Sequence, residues 1–476
     1  MNVAVKDTAA VVDAGYFDVL VIGAGISGID AAHYMQTECP GKTFTLLETQ
    51  DSFGGTWNTH KYPGIRSDSD LFTFGYKWKP WVGAPIATAE EILKYLDEVL
   101  DEEDIRRHIQ YQIKVTDASW STETKLWTVY ADNLASGERL RFTTNFMWMC
   151  QGYYRHAKGY TPEWEGMDDY EGKIVHPQTW PEDLDYKDKH VLVIGSGATA
   201  ATVVPAMAAD CKHITMLQRS PTFFIPAPNR NETAEMLREL DVPDEWTHEI
   251  VRRKVLFDQQ EITRRSFEEP EDLRTELIGA AKEYLGEDFD IATHFTPSYR
   301  PWQQRIAFLP DGDLFQGLRQ GQATVVTDQI ERFTKNGVLL KSGNEISADI
   351  IVTATGFNLC VLGDINFVVD EKEVDFADTV TYRGMMFTGV PNLAWVFGYF
   401  RASWTLRADL IAELVCRMFN KMDAQGAQMV MPTLRSEEHN MPRLPWIDPD
   451  NFNPGYLMRS LHEMPKQGDR EPWIFT

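Results

Sequence analysis

Cysteine is scarce in this chain of 476 residues. There are five, Cys39, Cys150, Cys211, Cys360 and Cys416, odd in number, widely spaced and without a CxxC pair. That pattern argues against a dithiol redox centre, and buried free thiols in a cytoplasmic protein are expected instead. Positive charge is the second shortage. Lys and Arg total 46 against 71 Asp and Glu, a net charge of −25. Duplex nucleic acid and anionic membrane are therefore poor partners, although local basic pockets remain allowed. No uninterrupted apolar run reaches the roughly 18 residues that a membrane span needs. Asp7 and Asp13 interrupt the N-terminal stretch, so no signal peptide is expected. Hydrophobic content of 43% and charged content of 25% are those of an ordinary globular chain. The length suits about two to three domains.

What is present is a glycine-rich turn that occurs twice. The first copy is Gly23-Ala24-Gly25-Ile26-Ser27-Gly28, after the apolar run Val19-Leu20-Val21-Ile22. The second is Gly195-Ser196-Gly197-Ala198-Thr199-Ala200, after Val191-Leu192-Val193-Ile194. Strand, glycine turn and helix together make a dinucleotide-binding βαβ unit, with a pyrophosphate at the helix N-terminus. Ala200 stands where the third glycine packs helix on strand, a place that tolerates alanine.

The residue closing each second strand separates the two copies. Glu48 lies 25 residues after Gly23, and a carboxylate there accepts from a ribose 2′-OH. Arg219 lies 24 residues after Gly195, and a guanidinium there meets a 2′-phosphate, with Ser220 as a helper. The first site reads as FAD-like and the second as NADPH-like. Further candidates follow Glu48. Gly54-Gly55 lets backbone pass close to a ligand, Thr56 follows, and Trp57 offers a ring to stack near it. Tyr62-Pro63-Gly64 is a rigid turn leading to Arg66, Asp68 and Asp70.

The order of elements predicts an α/β fold of two Rossmann-like dinucleotide-binding domains, the NADP domain inserted in the FAD domain, with a helical insertion. Residues 1–16 read as a loose arm, 17–22 and 43–48 as strands, 26–37 and 89–107 as helices. Strands are expected near 111–118, 125–131, 141–149, 190–194, 213–218, 323–326, 337–340 and 349–354, and a helix over 404–424. Residues 1–160 and 378–476 are assigned to the FAD-binding domain. Residues 161–221 and 306–377 form the NADP-binding domain with its connectors, and 222–305 the helical insertion.

The segment Tyr170-Glu171-Gly172-Lys173-Ile174-Val175-His176-Pro177-Gln178-Thr179-Trp180-Pro181 resembles the fingerprint of the type I Baeyer–Villiger monooxygenases, with Tyr170 where that family usually has Phe. Gly54 through Asp68 is similar to a second motif of the family, with Lys61 in place of Arg. The stretches Tyr62–Asp70, Met216–Pro221 and Ala402–Leu406 resemble the ethionamide-activating subgroup, so the likeness reaches most of the chain. Members of that subgroup continue into a basic tail. This sequence runs to Thr476 just after Pro472-Trp473-Ile474-Phe475, which leaves an oligomer or membrane contact through such a tail unsupported.

The resemblance implies that NADPH reduces FAD and that O2 forms a C4a-peroxyflavin, which attacks a ketone to yield an ester or lactone. It implies small apolar ketones as substrates, with thioethers or thioamides beside them. It places the catalytic arginine in Trp302-Gln303-Gln304-Arg305, and Asp68 as the acid that holds Arg305 and the nicotinamide region of the cofactor in position. Gln304 stands where members often have Lys, which puts more weight on Arg219. His176 is assigned to structure between domains. Two other readings compete: an oxygenase acting mainly on sulfur or nitrogen, and a flavin protein with no productive oxygenation.

Overall fold

In strand β1 (Val11–Ile22) the last four residues are at most 5% exposed, because helices and loops cover both faces of the sheet around it. Val19 and Val21 face one core, Leu20 and Ile22 the other, as the two-residue period of a strand requires. The computed structural model describes residues 11–475. After β1 come helix α1 (Ile26–Glu38), strand β2 (Phe44–Leu47), helix α2 (Ala89–Glu102) and the long strand β3 (Arg139–Met149). A Thr88–Glu91 capping box starts α2, whose buried Ile92, Tyr95, Leu96, Val99 and Leu100 form one apolar stripe.

β1 lies between β2 and β3, parallel to both. This sheet has nine strands, and an antiparallel run of Ile113–Ser121 and Leu126–Asn133 leads into β3. Trp148 is fully buried on the same face as Val19, while Met147 and Met149 lie on the opposite one. Burying a side chain of this size contributes about 2–3 kcal/mol.

The second sheet repeats the plan with strand β4 (His190–Ile194), helix α3 (Ala198–Ala208), strand β5 (His213–Gln218), strand β6 (Ala323–Thr327) and strand β7 (Ile350–Thr353). Its order is β6-β5-β4-β7 with Lys173–Val175 at the far edge, all parallel. Between β5 and β6 stand the inserted helices, dominated by α4 (Asp244–Glu268). Arg252 of α4 is 6% exposed and donates to the carbonyls of Phe72, Thr73 and Gly75 at 3.0, 3.1 and 3.1 Å. That buried cation docks the insertion onto the first domain, with Asp409 at 3.5 Å as its counter-ion. Asp409 belongs to helix α5 (Trp404–Gln425), which packs on α1. A short helix α6 (Gly455–Ser460) completes the elements around the site.

Three expectations are corrected. Residues 1–10 of the expected arm lie outside the described residues, but Val11–Tyr16 is strand, paired with Arg139–Thr143 across a bulge between Asp13 and Tyr16. Main-chain hydrogen bonds to the overhanging edge of β3 recruit it, and Val11, Val12 and Tyr16 stay exposed, so no apolar pattern announces it. The helix expected over 89–107 ends at Glu102, and Asp104 takes a positive φ of 51° before the chain enters Arg106–His108. The return to the first domain precedes 378: Asn366–Val369 already pairs with Asp117–Trp120 of the first sheet. The expected boundary is wrong there because strand pairing between distant segments leaves no local sign.

Candidate active site

The first glycine turn is shaped by close approach. A Cβ on Gly28 would collide with the Gly23 carbonyl, so α1 leaves β1 as closely as backbone allows. At the end of β2, Glu48 is 6% exposed and both its oxygens accept backbone N–H groups: Ala24 at 2.7 Å and Gln50 at 2.8 Å. The carboxylate is thus held beside Gly25 at the start of α1, with lone pairs left for a sugar hydroxyl. Gly54 donates to the Ala24 carbonyl at 3.0 Å, which brings Gly55 against Gly25. Thr56 is exposed, and Trp57 meets Phe74 edge-on at 5.7 Å and packs on the core. Next to this turn, the Gln151 side chain at the end of β3 has both amide atoms buried and without a protein partner. An orphaned amide beside a glycine cradle fits a polar ring system such as an isoalloxazine.

In the second turn, Gly195 has φ of +136° and its missing Cβ is replaced by the Ala354 carbonyl. Gly197 starts α3 with open space where a Cβ would stand, and Ala200 is fully buried against the sheet. Ser196 Oγ lies 2.9 Å from Thr222 Oγ1 and donates to the Ser220 carbonyl at 3.2 Å. The turn is therefore tied to the strand end that carries Arg219. Arg219 and Ser220 are exposed, and Arg219 forms no ion pair among the described residues. Thr199 lies in the first turn of α3, and Tyr62 packs into the core that α3 shares, where burial holds its phenol protonated. Arg66 adds a second link, donating to Asp313 at 2.5 Å.

Between the two cradles, Arg305 Nε lies 2.9 Å from Asp68 Oδ2, with the two side chains 34% and 32% exposed. The Asp68 charge holds the guanidinium firmly protonated, against the effect of burial. Trp302, with φ of +61°, turns the chain so that Arg305 follows the helical insertion and precedes Ala307–Pro310. Three phenols lie near enough to act on the charge of the cation: Tyr153, Tyr154 and Tyr456. Tyr153 donates to Tyr154 at 2.9 Å and stacks on Trp404, with ring centroids 5.0 Å apart. The Tyr456 hydroxyl on α6 is buried without a hydrogen-bond partner. Burial raises all three phenols above their ordinary range, so they remain neutral donors.

The sequence reading brought Arg305 and Asp68 together but missed the phenols. Tyr153-Tyr154 follows directly on the Gln151-Gly152 strand end, a signal that was available; Tyr456 had none. His176 is structural: the Gln178 N–H donates to Nδ1 at 3.1 Å, so the Nε2–H faces the Gly356 carbonyl at 3.1 Å. Burial lowers its pKa and keeps it neutral. Tyr170 donates to the Ala348 carbonyl at 2.8 Å, which gives its hydroxyl a partner. Asp70 caps the helical turn Leu71–Phe74, and burial raises its pKa to about 6. All five cysteines are free, four of them buried and Cys211 half-buried.

No helix among the described residues is long and apolar enough to cross a membrane. Residues 85–231 match the family described as flavin-binding monooxygenase-like, and residues 21–80 that of the NAD(P)-binding Rossmann-like domain. The FAD-containing monooxygenase EthA of Mycobacterium tuberculosis is 44% identical over 460 residues, spanning 96% of this chain and 92% of that protein. EthA of Mycolicibacterium smegmatis is 44% identical over 463 residues, with the same shares. Among solved structures, an open form of cyclohexanone monooxygenase superposes with a TM-score of 0.74 at 23% identity, covering 88% of this chain and 90% of that one. Oxidized steroid monooxygenase bound to NADP superposes with a TM-score of 0.71 at 23% identity, covering 88% of each chain. These likenesses carry the architecture of two nucleotide domains.

Proposed function

The chain belongs to the FAD-containing monooxygenases, and from the chemistry of its site we propose that it uses NADPH and O2 to convert ketones to esters or lactones, oxygenating sulfides or thioamides as well. FAD takes the first cradle, with Gly23, Gly25, Gly28, Glu48, Gly55, Thr56 and Trp57 around it. NADP takes the second, with Gly195, Gly197, Thr199, Ala200, Arg219 and Ser220. Bound reduced flavin supplies the activation of O2.

The observation that supports ketone chemistry is the Arg305–Asp68 pair, 2.9 Å apart, between the two cradles. A ketone under attack gains negative charge on its oxygen, and a fixed cation stabilises that charge. Arginine suits the task because a lysine loses its proton more readily in a water-poor site. Asp68 orients the guanidinium, and the neutral phenols of Tyr153, Tyr154 and Tyr456 lie near it as uncharged donors. Arg219 selects NADPH by its charge-assisted bonds to a 2′-phosphate.

The test follows NADPH use, hydrogen peroxide and product mass together in the FAD-loaded protein, with linear ketones, cyclic ketones and a thioether supplied separately. Ester or lactone at near one per NADPH, with little peroxide, is expected. Sulfoxide alone moves the reading to an oxygenase of sulfur and nitrogen. Peroxide alone with every substrate sinks both.

A further inference from the structure

A cleft of about 700 Å³ opens between α4 and the segments 399–402 and 446–452. Phe400, Trp446, Phe452 and Phe475 give it an aromatic wall. Arg401 stands at one end, its guanidinium carbon 5.1 Å from the Phe452 ring centroid and 5.2 Å from that of Phe267. Arg300 covers the same Phe267 ring at 4.1 Å. Both guanidiniums donate to one acceptor, the Asn451 carbonyl, at 2.9 Å from Arg300 and 2.5 Å from Arg401. Their other acceptors among the described residues are the carbonyls of Ser266, Pro301 and Trp302. Two like charges thus converge on a single neutral oxygen, an arrangement that lacks its anion. Burial and the neighbouring Arg300 charge push the Arg401 pKa down to about 10.

The other charges at the cleft have partners. Arg264 is held by Glu261, Glu268 and Glu269. Asp448 accepts from the Asp450 N–H at 2.9 Å and Asn451 Nδ2 at 2.8 Å. The cationic end also adjoins the reaction centre. Arg401 Nε donates at 3.2 Å to the carbonyl of Trp302, on the turn that delivers Arg305.

We propose that this cleft binds hydrocarbon-chain carboxylates, the carboxylate between Arg401 and Arg300 and the chain on the aromatic wall, so that the preferred ketones are oxo-carboxylates. The second half of this inference rests on the ketone reading above; the binding site does not. Calorimetry on the FAD-loaded protein with decanoate and with methyl decanoate reads the site without turnover. Decanoate is expected to bind at least about tenfold tighter than the ester, as one charge-assisted contact pair provides. Arg401→Gln is expected to bring the two within about twofold, and Arg401→Lys to keep most of the preference. Equal affinities in the unaltered protein overturn the proposal whether or not the variants fold. So does a preference that survives in both Arg401→Gln and Arg300→Gln.

In the kinetic arm, 9-oxodecanoate is expected to show a kcat/KM about tenfold above that of its methyl ester. If 2-decanone is oxygenated but the acid has no advantage, the substrate proposal falls and the ketone reading stands. If decanoate is preferred in binding while no ketone is oxygenated, the ketone reading falls and the carboxylate site stands.

Discussion

Asp68 Oδ2 and Arg305 Nε form an ion pair at 2.9 Å, although Asp68 belongs to the first nucleotide domain and Arg305 follows the helical insertion. The pair is about one-third exposed, so its contribution to stability is small, on the order of 1 kcal/mol or less. Its consequence lies in the chemistry. Arg305→Ala is expected to lower kcat/KM for a ketone by about 100-fold or more, the effect of removing one fixed donor from a developing oxyanion. Asp68→Asn is expected to cost less, about tenfold, because it loosens the cation without removing it. Flavin content should match the unaltered protein in both. Undiminished ketone turnover in Arg305→Ala would remove this arginine from the reaction.

The Glu48 carboxylate is built into the first cradle by two backbone N–H groups. Glu48→Ala removes the acceptor for the ribose and leaves those N–H groups without partners. The flavin-to-protein absorbance ratio of the purified variant is expected to fall, with affinity weaker by about tenfold or more. A full flavin complement would show that Glu48 is only a strand-end acid.

Arg219 stands exposed at the end of β5 with no ion-pair partner among the described residues. Arg219→Ala is expected to raise KM for NADPH by roughly 10- to 100-fold while leaving that for NADH nearly unchanged, since only the 2′-phosphate contact is lost. Parallel losses with both nucleotides would argue against phosphate recognition.

The two glycine turns should respond differently to one added methyl group. Gly28 takes the place that Ala200 fills in the second turn, but in the first turn a Cβ there, as in Gly28→Ala, is driven into the Gly23 carbonyl, a backbone atom that cannot give way. A thermal melt should show destabilisation of about 3 kcal/mol or more, or no folded protein at all. Gly197→Ala meets nothing within 4 Å and should melt normally. Its effect is expected in the affinity for NADP, where the pyrophosphate needs the space. A cold-stable Gly28→Ala variant would mean that α1 shifts freely.

His60 is 6% exposed, and burial lowers its pKa from 6.5 to about 4. The unfolded chain therefore binds a proton there first as pH falls, so this contribution to stability is present above pH 6.5 and is lost between 6.5 and about 4. The loss amounts to roughly 3 kcal/mol at the acid end. Melting temperatures from pH 7 to pH 4 should fall steeply in the unaltered protein and less steeply in His60→Gln. Identical slopes would assign the acid sensitivity to other groups, of which His248, also lowered to about 4, is the first to test.

Local pattern explains which elements were legible. The strands at 190–194 and 213–218 lie where the sequence predicts them. Each is a short apolar run between a polar start and a glycine or polar stop. Helix α5 runs from Trp404 to Gln425 against an expected 404–424, because its apolar period is unbroken until Gly426. The parallel pairs Phe224–Ala227 with Ala307–Pro310 went unread, since the helical insertion separates them and neither run alternates over more than four residues. Trp57 illustrates a different limit. An aromatic next to a double glycine suits both ligand and core, and the structure packs it against Phe74.

The amino-acid sequence by itself determined the two βαβ turns, the acid after one and the base after the other. Each depends on steric freedom at a glycine or on a side chain at a set distance along the same unit. The tertiary structure alone decided which phenols lie near Arg305, that Asn366–Val369 joins the first sheet, and that Arg300 and Arg401 share one carbonyl. Those relations join segments far apart in the chain. Their free energy arises from desolvation and packing after the domains have met, and neither leaves a period or a spacing in the residues that take part.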